Sequence, residues 1–249
     1  MGYVFKKNIA NRGNYGDRRN TSNIKYIAVH YTSNDGDHDE SNANYFKNRI
    51  IKASAHYFVD DDSVTQSVPD DYVAWAVGGG KYPSCSRTGG GSLHDICTNS
   101  NSISVELCDT VRDGKVYPTN ATIENALALI KTLMKKYNVP ASRVIRHFDV
   151  TGKECPAYWC GTSAKNALWK TAFHNKLTGS TASSGSTSVA STMKWAVTVT
   201  LLRIRKGPGT NYAWTGRYTG KGVFTIVEQK NGWGRLKSGA GWISLSTAH

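Results

Sequence analysis

The chain has 249 residues and a formal net charge of +13, from 31 basic against 18 acidic side chains. That length gives room for one sizeable domain and a small one, each with a proper core. No run approaches the roughly 18 apolar residues needed to cross a bilayer, and the opening MGYVFKKNIANRGNYGDRRN has no apolar stretch behind its charges, so neither a membrane anchor nor a secretory signal is expected.

The basic excess points to a polyanionic partner: nucleic acid, acidic lipid or an anionic wall polymer. Nucleic acid would require basic residues interleaved with aromatics on a recognisable reading module, and none is found. The plain alternative is that the charge serves solubility. Five cysteines (Cys85, Cys97, Cys108, Cys155, Cys160) are an odd number. With no secretory signal, reduced thiols are expected, at least one of them a ligand candidate. A Cys85–Cys97 bridge in an oxidising medium stays open.

In chain order, Lys25 to Tyr31 reads as a buried strand that brings His30 to its C-terminal end, where a strand feeds a site. A satisfied core histidine is the bland reading of His30. Glu40 to Ile51 has Tyr45, Phe46, Ile50 and Ile51 at a spacing suited to a helix on the sheet. Ser54 to Asp60 alternates as a strand, turns at Asp61 and Asp62, and returns through SVTQSV; its His56 and Tyr57 point to opposite faces, so only one can face a site. Trp75 follows as a further candidate substrate contact. The glycine-rich stretch from Gly78 to Asn101 has no periodicity and is expected to form a rim or lid over a substrate groove.

Ser102 to Cys108 reads as a central strand with Ile103, Val105 and Leu107 on one face and Ser104 and Glu106 on the other. A carboxylate there is costly to bury unless something uses or pairs it. Thr122 to Tyr137 predicts a helix capped by Thr122, striped by Ile123, Leu127, Ile130 and Met134, and stopped at Asn138 and Pro140. Val144 and Ile145 lead as a short strand into RHFDVTGKECPAYWC, a loop-forming stretch that holds His147, Lys153 and Cys155. Imidazole and thiolate are ligand types that zinc prefers, and a catalytic zinc site takes three protein ligands, so His30 completes a candidate set with His147 and Cys155. Ser163 to Leu177 predicts a closing helix with Leu168 and Trp169 inward. The order of elements is that of an α/β domain, helices packed on a mixed sheet.

Residues 178–192, TGSTASSGSTSVAST, form a low-complexity linker between residues 1–177 and 193–249. Beyond it, short alternating strands with the turns KGPG, NG and SG predict a small all-β barrel. From Lys194 onward nine basic residues face Glu228 alone, a balance of +8.

Residues 24 to about 177 resemble the zinc amidases of the N-acetylmuramoyl-L-alanine amidase type 2 family, which share a fold with peptidoglycan recognition proteins. The resemblance rests on VHYT, SAHYFVD, NSISVEL and RHFDVTGKECP. It implies zinc held by His30, His147 and Cys155, with Glu106 as general base and Lys153 beside the reacting oxygen. One branch places a catalytic tyrosine one residue ahead of a histidine where this chain has His56. The order AHYF resembles instead the branch whose catalytic acid is the VEL glutamate, so Glu106 is favoured over Tyr57. Residues 195–247 resemble a bacterial SH3-like domain, through LRIRKGPGTNY, NGWGRLK and GWISL.

Together the two resemblances imply hydrolysis of the amide between N-acetylmuramic acid and L-alanine, and a C-terminal module that tethers the chain to Gram-positive walls or their anionic polymers. Tyr212, Trp214 and Trp233 are its candidate contacts, whereas Trp242 is expected in its core. The expected context is a phage endolysin made without a signal peptide in the host cytoplasm and acting on the wall after release, or else an autolysin. Two rival readings are a non-catalytic peptidoglycan-binding protein, disfavoured by Cys155, and a cysteine peptidase using Cys155 or Cys108. An active thiolate wants a helix N-terminus or adjacent imidazole, which the Lys-Glu-Cys-Pro loop does not offer.

Overall fold

The computed structural model describes residues 3–178, 193–210, 212–230 and 232–245. The chain divides into two units, Met1–Ser183 and Ser184–His249. Apart from Thr178, the predicted linker lies outside the described residues.

The first unit contains strands β1 (Val4–Lys7), β2 (Tyr15–Arg18), β3 (Tyr26–Tyr31), β4 (Tyr57–Val59), β5 (Ser63–Gln66), β6 (Tyr72–Ala74), β7 (Ser102–Leu107) and β8 (Val144–Arg146). Six of them form one sheet in the order β1-β5-β4-β7-β3-β8, and β2 pairs with β6 separately. All pairs in the large sheet are parallel except the β4–β5 hairpin. Helices are α1 (Asp39–Asn48), α2 (Cys85–Thr88), α3 (Asn120–Tyr137), α4 (His147–Thr151) and α5 (Ser163–Leu168). This is the mixed α/β architecture expected.

The central strand β3 is apolar on both faces because both are covered, the usual composition of a buried parallel strand. Val29 joins Val105, Leu107 and the α3 stripe in the main core, whereas Ala28 packs with Val77, Ile145 and Val150 on the other side. Each large side chain so buried contributes about 1.5–3 kcal/mol. The α3 stripe differs slightly from the expected one. Leu133 is buried and Met134 only packs against the core. Its cap is Thr119, whose side chain accepts from the Thr122 N–H, so Thr122 is the capped residue and not the cap. Asn138 ends the helix in the left-handed region, with φ 53°.

Three other expectations need correction. The first helix stops at Asn48, and Ile50 and Ile51 are exposed beyond it. The closing helix is regular only to Leu168; a π-helical turn, Trp169–Phe173, then rotates the chain so that Trp169 and Phe173 enter the core while Leu168 stays exposed. The segment from Gly78 to Asn101 is no rim over the main cleft. It packs behind α4 through Tyr82 N–H to Thr151 O, Gly91 N–H to Phe148 O and Leu93 N–H to Asp149 O. Gly152 makes that packing feasible: its φ is +83°, and a Cβ there would lie 2.1 Å from Cys85 Sγ. All five cysteines are free and buried.

The second unit is a single antiparallel sheet of six strands: β9 (Met193–Val197), β10 (Arg203–Arg205), β11 (Trp214–Tyr218), β12 (Gly222–Lys230), β13 (Trp233–Leu236) and β14 (Trp242–Ser244). Their order is β11-β10-β14-β13-β12-β9. Val197, Leu202, Ile204, Ile226, Leu236 and Ile243 form its core, and Trp242 is buried. This separate all-β unit is consistent with an SH3-like barrel.

Candidate metal centre and cleft

Register builds the site. His30 on β3 and Glu106 on β7 are direct cross-strand partners in a parallel pair, so their side chains share one face of the sheet. The pairing of β8 with β3 ends at Arg146 opposite Val29, and the chain then turns into α4, which starts with His147. The His30 and His147 rings stand 4.7 Å apart between centroids. Cys155, on the loop after α4, brings Sγ to 3.7 Å from His30 Nδ1. One ligand atom from each of His30, His147 and Cys155 lies within 4.8 Å of the others, and all three residues are buried.

These three side chains, with Glu106 and Lys153, line a cleft of about 820 Å³. Glu106 Oε1 is 3.9 Å from His30 Nδ1, and the carboxylate side chain is 19% exposed. Tyr31, Asn34, Phe58 and Trp75 line the same cleft. His56 and Tyr57 lie outside it. His56 is fully buried: its Nδ1 accepts from the Ser104 N–H, and its Nε2 is 2.9 Å from the Arg19 guanidinium. Tyr57 faces the opposite layer and donates to Asp70. Both candidates for substrate contact are therefore engaged in structural hydrogen bonds, and Trp75 alone of the three reaches the cleft.

The electrostatics suit a cation. Burial lowers the His147 pKa to about 4, with Lys153 adding to the effect, so the ring is neutral and free to donate a lone pair. His30 is lowered by burial, then by His147, Lys153 and His56. Burial pushes the Cys155 thiol well up, and Glu106 adds to it, against the Tyr31 N–H and Lys153. A thiolate there calls for a bound cation, and a free nucleophile would need the opposite shift. Three buried polar atoms, His30 Nε2, His147 Nδ1 and Glu106 Oε2, have no hydrogen-bond partner. A buried cluster of two imidazoles and a thiol with orphaned nitrogens fits a tetrahedral zinc site with one open position.

Burial also lifts Glu106 to about 8, with Asp37 adding and Lys153 opposing. A carboxyl poised near neutrality can both take and return a proton.

Sequence reasoning missed the brace behind these groups. Arg146 pairs with Asp149 at 2.6 Å and donates to Trp159 O and Asn166 Oδ1, which ties β8, α4 and the cysteine loop together. The i,i+3 Arg-Asp pair inside RHFD was the available signal.

The family model for N-acetylmuramoyl-L-alanine amidases matches residues 20–158, more than half of the chain, and spans His30, Trp75, Glu106, His147, Lys153 and Cys155. The chain belongs to the N-acetylmuramoyl-L-alanine amidase family. The amidase CwlL of Bacillus licheniformis is 32% identical over 180 residues, covering 68% of this chain and 47% of CwlL. The amidase CwlH of Bacillus subtilis (strain 168) is 35% identical over 133 residues, 53% of this chain and 46% of CwlH. The chain thus spans about half the length of these curated relatives. Among solved structures, PlyL aligns at TM-score 0.54 and 29% identity, covering 70% of this chain and 96% of PlyL. The PlyG catalytic domain aligns at TM-score 0.55 and 27% identity, covering 74% of this chain and 99% of that domain. The first unit therefore shares the fold of these amidase domains.

Proposed function

We propose that this amidase-family chain is a peptidoglycan hydrolase, cleaving the amide between the lactyl group of N-acetylmuramic acid and the L-alanine of the stem peptide. The observation that carries the proposal is the buried His30, His147 and Cys155 cluster at the base of a cleft shared with Glu106 and Lys153. The names of the relatives, N-acetylmuramoyl-L-alanine amidases, support the same bond.

In this reading His30, His147 and Cys155 hold zinc. Bound zinc supplies Lewis acidity, bringing the pKa of a water towards about 7 and polarising the scissile carbonyl. Glu106 takes the proton of the attacking water and passes it to the departing amine. Lys153 holds positive charge beside the oxyanion of the tetrahedral intermediate. Trp75 and Tyr31 give the cleft aromatic walls for substrate. The second unit, with its +8 balance, acts as the wall-binding module.

The chain acts as an endolysin on Gram-positive walls, made in the host cytoplasm and working after release. Its Bacillus relatives, and a solved Bacillus subtilis endolysin at TM-score 0.53 and 27% identity, support that context. Among the described residues, no helix is long and apolar enough to cross a membrane.

Digestion of purified walls tests the chemistry. New amino-terminal L-alanine, identified by mass spectrometry, is expected, with activity lost to a chelator. New reducing ends or free D-amino acid termini would replace the amidase with a glycosidase or a peptidase.

A further inference from the structure

The second unit carries a surface that its own packing leaves unused. Strands β10 and β11 pair with Arg203 opposite Tyr218 and Arg205 opposite Trp214, and the register slips between these pairs. Trp214 and Tyr218, four residues apart, share one face by alternation, and that bulge, with Gly216 at φ +83°, accompanies the close approach of their rings, 5.2 Å apart. The Arg203 guanidinium lies 5.4 Å from the Trp214 ring centre. Arg205 Nη1 donates to Tyr212 O, which fixes one end of its guanidinium. Ile204, between the two arginines, is buried in the core of the sheet, so Arg203 and Arg205 face away from it.

This face is open and charged. Trp214 is 42% exposed and Tyr218 39%. The only acidic side chain from Lys194 onward, Glu228, pairs with Arg235 at 2.7 Å, so it neutralises neither Arg203 nor Arg205. Two arginines two residues apart on a strand stand about 7 Å from each other, a spacing that repeated anionic groups can meet and a single carboxylate cannot. A ring pair beside them offers flat apolar surface to C–H groups. An uncharged peptide bridge would leave both guanidiniums unmatched. The complementary ligand has repeated phosphates separated by short C–H-rich units.

We propose that the β10–β11 face formed by Arg203, Arg205, Trp214 and Tyr218 docks a phosphodiester-linked polyol polymer of the bacterial wall. The proposal rests on the wall-hydrolase reading and names the partner of its second unit. Charge complementarity selects this occupant: Arg203 and Arg205 bind successive phosphates, and Trp214 and Tyr218 pack on the polyol between them.

The test titrates the full chain with poly(glycerol phosphate) at physiological salt. An Arg203→Gln/Arg205→Gln variant is expected to bind about tenfold more weakly, and Trp214→Ala comparably, because each removes one arm of the contact. A Lys230→Gln/Lys237→Gln variant removes equal charge elsewhere on the unit and is expected to stay within about twofold of the parent, since exposed charges at a distance are screened. A cooperative thermal melt by circular dichroism checks that each variant keeps its fold. Equal weakening by both charge pairs, no weakening by the arginine pair, or tighter binding of oligothymidylate than of the polymer overturns the proposal. Hydrolysis of soluble muropeptides is measured in parallel. A chain that binds the polymer but exposes no new amino-terminal L-alanine would sink the amidase reading and leave this face standing.

Discussion

Glu106 is the one carboxylate that β7 turns toward the His30 imidazole, and burial lifts it to about 8. Replacing it with glutamine keeps the shape and removes the proton carrier. Glu106→Gln is expected to retain one zinc per chain and to lose lytic activity by roughly 10²–10⁴-fold, the scale of general acid–base catalysis. Turnover above a tenth of the parent would move the proton transfer to another group. Cys155→Ser weakens the metal site itself, since a neutral hydroxyl is a poor substitute for thiolate, and it is expected to lose most of the zinc along with activity. Full metal occupancy in that variant would remove Cys155 from the ligand set. Alternation along the two central strands was enough to foresee that Glu106 faces away from Ile103, Val105 and Leu107. It could not reveal that His56 is fully occupied, because its partner Arg19 comes from a segment far away in sequence whose approach no local pattern encodes.

At the scale of elements, strands were more legible than helix ends. Strands β3 and β7 announce themselves by β-branched runs, but the end of α1 is held by Asn14, which donates to Phe46 O and Arg49 O and accepts from the Ile51 N–H, and the π turn after α5 is set by packing of Trp169 and Phe173 against Trp159; no local periodicity records either. The long glycine-rich segment misled for the same reason: its lack of periodicity indicates a loop, not which side of α4 it covers. A second tertiary feature joins β4, α3 and the turn after β5. Asp70 accepts from Tyr57, Tyr137 and Lys136. Burial works to raise its pKa, yet these hydrogen bonds outweigh it and hold the carboxyl below its ordinary value. A depressed folded pKa contributes stability that is complete above the unfolded value of about 3.9 and is lost as pH falls through the folded one. Asp70→Asn is expected to cost about 1–3 kcal/mol at neutral pH, and the gap to the parent should narrow below about pH 4. Denaturant melts at neutral and acid pH measure both. A gap that stays constant with pH would mean that the carboxylate charge contributes nothing.

For the whole molecule, the uneven charge is the most telling property, and it was readable directly: +8 of the +13 falls from Lys194 onward. Composition could locate that charge but not arrange it, since the close approach of the exposed Trp214 and Tyr218 rings comes with a bulge that strand alternation does not foretell. Of the proposed wall contacts, Tyr212 and Trp214 are exposed and Trp233 is half-buried, while Trp242 serves the interior as expected. The core of the first unit closes with Leu177, so a chain ending there should keep its fold and cleft. Such a truncated chain is expected to hydrolyse soluble muropeptides at the parent rate, because every group assigned to the chemistry precedes the cut. On intact walls it should be much slower, since a tethered module raises the local concentration of the amidase without a new contact at the scissile bond. The deficit should shrink as salt rises, because an attraction between exposed charges is screened over about 8 Å at physiological ionic strength and over less above it. Comparing wall lysis by the two chains across a salt series separates the cases. Equal lysis at every salt concentration would sink the tethering role, whereas a deficit that persists at high salt would point to a specific pocket over a charged face.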